Sequence, residues 1–173
     1  MTNIGIELGI RAPIEAIERA AQIADNNSVE YFLVPETHPE FFGVDALETI
    51  LKISKKIKHV KLGTGIINIF SRTQEEILDY ANQIHEKTGG KFVLGIGTSA
   101  PIIIEKLWKM EFKKPVSRLK DYSNFIRSGF RGQIYWAAVG EKTTKLAAEN
   151  ADGVIFFLKP RAVSYTHLRA HET

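Results

Sequence analysis

The sequence predicts a parallel α/β fold of the (β/α)8 TIM-barrel type, incomplete, with about six β/α units. Three observations predict it. Strand-like and helix-like segments alternate at a spacing of roughly 30 residues. The strand segments read as nearly continuous apolar runs, as they do in a sheet covered on both faces. In the first strand Gly5, Glu7 and Gly9 alternate with Ile4, Ile6 and Leu8, so one face carries a carboxylate among glycines. Such a face suits a narrow barrel interior that opens into a ligand site. A dinucleotide-binding sheet would instead want Gly-x-Gly-x-x-Gly after this strand, where the chain has Gly9-Ile-Arg-Ala-Pro13. A complete eight-fold barrel takes about 250 residues, against the 173 present.

Each element follows from local pattern. Residues 2–10 form the first strand, and Pro13 sits in the first turn of a helix, where proline is tolerated. That helix carries Ile14, Ile17, Ala20, Ala21 and Ala24 on one stripe and ends at Asn26-Asn27. The second strand spans residues 30–35, and the second helix turns Leu47, Ile50, Leu51, Ser54 and Ile57 to one side. The third strand runs over 59–67. Thr73 and Glu76 have capping-box spacing at the start of the third helix, which buries Ile77, Ala81 and Ile84 and stops at Thr88-Gly89-Gly90. Residues 91–97 form the fourth strand, and 100–116 lack a clean period, as in a loop with a short helix. The fourth helix covers 117–128, the fifth strand 133–139, the fifth helix 142–150 and the sixth strand 152–158.

Residues 1–162 thus read as one partial barrel domain. Residues 163–173 fit neither pattern and resemble a peptide translated from sequencing-adaptor DNA, so they are expected to be a non-native, disordered tail.

Composition narrows the classes. The absence of cysteine excludes disulfides, thiolate metal sites and cysteine nucleophiles. The start lacks a signal peptide's basic and apolar regions, and no run is long enough to span a membrane, so a soluble, cytoplasmic protein is expected. The net charge of +3 is dispersed. Lys52, Lys55, Lys56 and Lys58 fall on the polar side of a helix, which reads as a solvated face and not as a nucleic-acid patch.

The chemistry-bearing residues gather at the C-terminal ends of strands, where parallel α/β folds bind ligands. Glu7, in an apolar strand, must be paired, neutralised or used: either a structural partner or a general acid whose pKa burial has raised. Glu36 and His38 stand just past the second strand, as further catalytic candidates on the same rim or as ordinary loop residues. Gly63, Gly65 and Asn68 crowd the end of the third strand, as a bulge or as backbone that supports a planar ring. Gly97, Thr98 and Ser99 end the fourth. After the fifth strand, Gly140 and Glu141 open a helix whose free amides suit a phosphate, or simply make a βα turn. No His/Asp/Glu spacing suggests a metal site.

The segments Leu62-Gly-Thr-Gly-Ile-Ile-Asn68, Ser71-Arg72, Gly89-Gly-Lys-Phe-Val-Leu-Gly-Ile-Gly97, Ala137-Ala-Val-Gly140 and Ala151-Asp-Gly-Val154 resemble, in order, the bacterial luciferase-like flavin- and deazaflavin-dependent oxidoreductases. The opening Ile4-Gly-Ile-Glu-Leu8 is most similar to the methylenetetrahydromethanopterin reductases of that superfamily. The resemblance implies a (β/α)8 barrel that binds a deazaflavin (coenzyme F-420) or FMN at the strand ends. It makes Glu7 the acid near the transferred hydride. It also makes Gly65-Ile66 a non-proline cis peptide behind the ring, and Asn68, Gly97, Thr98 and Gly140 coenzyme-lining positions. Relatives usually place His directly after the acidic residue of the second loop, whereas here Thr37 intervenes and His38 follows. They also carry an insertion before the fifth strand, which Phe130-Arg-Gly-Gln133 lacks.

The implied activity is hydride transfer between a bound deazaflavin and a small substrate such as a methylene-tetrahydropterin, with a homo-oligomer as the implied full-length state. The alternatives are an FMN-dependent monooxygenase and a non-catalytic flavin-binding subunit. With units missing from the barrel, this chain is expected to be a poor or inactive catalyst.

Overall fold

The computed structural model describes residues 5–9, 12–38 and 43–156. Its strands are β1 (Gly5–Glu7), β2 (Tyr31–Val34), β3 (Lys61–Thr64), β4 (Ile67–Asn68), β5 (Phe92–Gly97), β6 (Gln133–Ala138) and β7 (Gly153–Phe156). All pairings are parallel, in the order β1-β2-β3-β5-β6-β7, with β4 continuing the β3 track along β5. Helices α1 (Ile14–Asn26), α2 (Ala46–Ile53), α3 (Gln74–Lys87), α4 (Pro115–Gly129) and α5 (Glu141–Asn150) fill the crossovers. The result is a half-barrel of β/α units, the predicted fold class. The proposed tail, and the outer ends of the first and last predicted strands, lie outside the described residues.

Alternation assigns the two faces of the sheet. Phe32, Leu62, Phe92, Leu94, Ile96, Ile134 and Trp136 are fully or almost fully buried beneath the helices. Their neighbours Leu33, Gly63, Val93, Gly95, Tyr135 and Ala137 face the concave side.

The helix signals translate into contacts. Pro13 stands just before α1, and Thr73 caps α3 by accepting from the Glu76 amide. Gly89 and Gly90 both take positive φ after α3. α4 begins earlier than predicted because Pro115 fits the first helical turn. Within 100–116, the short helix is a π-turn at Ile103–Leu107.

The third predicted strand departs most from expectation. It breaks at Gly65 and Ile66 and resumes as β4. Leu62 and Gly63 pair with Phe92 and Val93, and Ile67 and Asn68 pair with Ile96 and Gly97. Thr64, Gly65 and Ile66 therefore face only Leu94 and Gly95, one residue too many for a regular ladder. The expected cis peptide at Gly65-Ile66 is corrected: among the described residues every peptide bond is trans. The extra residue supplies the offset.

Candidate functional site

The concave face is built of glycines where β3, β4 and β5 end, with the Ile155 side chain reaching over Gly95 and Ile66 over Gly97. A Cβ on Gly95 would lie 2.5 Å from the Thr64 carbonyl oxygen and 2.7 Å from that of Gly65. One on Gly97 would lie 2.9 Å from Ala137 Cβ. These strands approach so closely that only glycine fits. A Cβ on Gly65 would meet Glu7 Oε2 at 2.7 Å and Pro35 Cα at 3.1 Å. Gly65 thus makes the space into which the Glu7 carboxyl leans.

Glu7 is an exposed residue by surface area, yet burial at its carboxyl end raises its pKa above the ordinary value. Asn68 is 4% exposed. Its Oδ1 accepts from the Phe70 amide at 3.0 Å, which fixes the orientation of the side-chain amide. Its Nδ2 is buried and has no partner among the described residues. Glu7, Gly65, Ile66, Asn68, Gly97 and Thr98 are thus carried on adjacent strand ends. Thr98 is half-buried and Ile66 partly so.

Glu36 and His38 are held differently. Glu36 Oε1 accepts from Arg72 Nε at 2.8 Å, and Oε2 accepts from the Ala46 amide at 3.0 Å. Burial raises the Glu36 pKa, with Arg72 opposing. Arg72 also pairs with Asp45 at 2.7 Å and with Glu76. Burial would lower the Arg72 pKa, but these carboxylates outweigh it and hold the guanidinium above its ordinary value. Glu36 therefore joins the loop after β2 to the starts of α2 and α3. His38 packs edge-on to Trp108, with centroids 4.6 Å apart. Thr37 accepts from the Val44 amide at 2.9 Å.

Gly140 and Glu141 form the exposed turn after β6. A Cβ on Gly140 would meet nothing within 4 Å, and Glu141 pairs with Lys145 at 3.0 Å. Deeper in the concave face, burial and a hydrogen bond with Tyr31 push the Tyr135 hydroxyl up to about 12.

Trp108 carries no signal in the sequence, and Thr64, Gly95 and Arg72 stand out there only as members of the family motifs. The Gly-Thr-Gly spelling held a signal for Thr64, since a polar residue between two strand glycines must satisfy its hydroxyl locally.

The family model for luciferase-like monooxygenases matches residues 2–136. The chain belongs to that family. Among its luciferase-like relatives, the 5,10-methylenetetrahydromethanopterin reductase of Archaeoglobus fulgidus is 26% identical over 177 aligned positions, covering 88% of this chain and 52% of the relative. The coenzyme F420-dependent tetrahydromethanopterin reductase from Methanopyrus kandleri superposes with a TM-score of 0.79 at 18% identity, covering 89% of this chain and 55% of that one. The oxygenating constituent of 3,6-diketocamphane monooxygenase from Pseudomonas putida, solved with FMN, gives 0.82 at 11% identity, covering 98% and 62%. The chain spans about half the length of the reductase it matches. No described helix is long and apolar enough to cross a membrane.

Proposed function

We propose that the glycine-bare concave wall receives the planar ring of a deazaflavin such as coenzyme F-420, in an oxidoreductase acting on a small substrate such as a methylene-tetrahydropterin. The observation that carries this reading is Asn68 Nδ2, a buried donor with no partner among the described residues. It stands opposite Gly97, in a wall that a single Cβ would fill. A buried donor left unpaired costs about 1–3 kcal/mol, so the site favours a ligand that accepts from it. A bound deazaflavin supplies hydride transfer.

The chain's own residues provide the setting. Gly65, Gly95 and Gly97 keep this wall low, so that a ring would rest on backbone and on the Ile66 and Ile155 side chains that reach over it. Burial raises the Glu7 pKa above its ordinary value, and its carboxyl leans over Gly65 on the same surface, where it would serve as the acid. Thr98 and the Gly140–Glu141 turn stand on the same rim for the coenzyme's polar arm. FMN is the alternative occupant, because the same backbone wall accepts either ring.

Titrating the chain with coenzyme F-420 and with FMN, followed by fluorescence, tests the reading. One of them is expected to bind, more weakly to Asn68→Ala, and coenzyme F-420 is expected to bind more tightly. Glu7→Gln is expected to keep coenzyme affinity and lose turnover. Binding of neither coenzyme sinks the reading, and tighter binding of FMN moves it to a flavin monooxygenase. A chain that binds coenzyme but has no turnover for Glu7→Gln to remove is a binding subunit.

A further inference from the structure

We propose that Thr64 is the positioning residue of the coenzyme wall, its hydroxyl clasping Gly95 across the gap opened by the extra residue in the β3–β4 track. The proposal rests on the coenzyme reading above.

Between the Gly63–Val93 and Ile67–Ile96 pairs, regular pairing is suspended. Gly95 lies in that gap, fully inside the protein. The Thr64 hydroxyl takes over from the ladder on both sides of this residue. It accepts from the Gly95 amide at 2.7 Å and donates to the Gly95 carbonyl at 2.8 Å. A hydroxyl gives and takes at one atom, so a side chain of this reach serves both groups. Valine has the same shape and serves neither. Thr64 is 0% exposed, so water does not replace the lost bonds.

The clasp has consequences on the ligand side. It fixes the strand offset that crowds the Thr64 and Gly65 carbonyls over Gly95, where a Cβ would stand 2.5 and 2.7 Å from them. It also fixes Gly65, over which the Glu7 carboxyl leans. One hydroxyl, pointing away from the ligand, thereby sets both the flatness of the wall and the resting place of the acid.

The test compares wild type, Thr64→Val, Thr64→Ser and Thr64→Cys in the whole chain. The readouts are affinity for FMN and coenzyme F-420, the absorption band of the bound coenzyme, and exchange of the Gly95 amide. Thr64→Ser is expected to match wild type. Thr64→Val is expected to weaken binding tenfold or more, to shift the absorption band and to speed Gly95 exchange, at a temperature where circular dichroism shows both proteins folded. A folded Thr64→Val with wild-type affinity and spectrum overturns the proposal, even if its melting temperature falls. If Thr64→Val does not fold, the other pair decides: Thr64→Cys binding more weakly than Thr64→Ser supports the clasp, and equal affinity overturns it. Wild type binding neither coenzyme overturns the coenzyme reading, and the positioning role with it. Unchanged Gly95 exchange in a folded variant overturns the clasp alone.

Discussion

Glu7 and Gly95 show how much of the site turns on single atoms. The folded value of Glu7 lies above the ordinary 4.5, so the native state holds its proton more tightly than the unfolded chain does. The stability this contributes is present at acidic pH and is lost as pH rises through the folded value. Urea unfolding at pH 4 and pH 7 should therefore show wild type losing more stability than Glu7→Gln, which keeps the neutral shape throughout. At Gly95 a methyl group meets two backbone carbonyls that cannot step aside. Gly95→Ala should cost about 1–3 kcal/mol by overpacking. Gly65→Ala should cost less, because the nearest atom there belongs to the Glu7 side chain. Thermal unfolding of the two variants checks the order. The sequence pointed to Glu7 because a carboxylate in an apolar strand stands out. It left Glu36 open, because nothing in a Glu-Thr-His-Pro loop says that Arg72, far along the chain, will occupy the carboxylate.

Between elements, polar side chains do the joining. Asp25, near the end of α1, accepts from the Lys58, His59 and Val60 amides at 3.1, 2.6 and 2.7 Å. It thereby ties α1 to the turn that launches β3. Burial works against the Asp25 charge, but these three donors outweigh it and hold the carboxyl below its ordinary 3.8. Asp25→Ala should cost about 1–3 kcal/mol near neutral pH. A lowered carboxyl contributes stability above its unfolded value, so the gap from wild type should narrow as pH falls below 3.8. Denaturant midpoints at pH 7 and pH 3 measure it. Element types were legible because helix and strand periods differ and because Thr73 and Gly89 mark ends. The break in the third strand was not. A bulge depends on register against a neighbour, and a single strand carries no record of its partner's spacing.

At the scale of the molecule, the sheet is firmest in its middle. β3, β5 and β6 carry the buried aromatic and aliphatic side chains and have partners on both sides. β1 has one described neighbour, and Ile6 on it is 40% exposed. The residues of β7 are only partly buried. Amide exchange should accordingly be slowest in β5 and fastest in β1 and β7. Uniform protection across the sheet would contradict this gradient. The parallel order was legible from alternation of helix and strand, whereas it took three dimensions to show Glu36 paired with Arg72 and Glu7 leaning over Gly65. The extra residue between Thr64 and Ile67 also governs handedness of display. Side chains alternate from face to face along a strand, so Asn68, five residues on from Gly63, would face the helices in an unbroken ladder; the bulge absorbs the surplus residue and returns Asn68 to the side of Gly63. Removing one residue here would close the bulge into a regular ladder with Asn68 still opposite Gly97, and would take away the gap that the Thr64 hydroxyl spans. At this point in the chain, segment length is as much a determinant of chemistry as residue type.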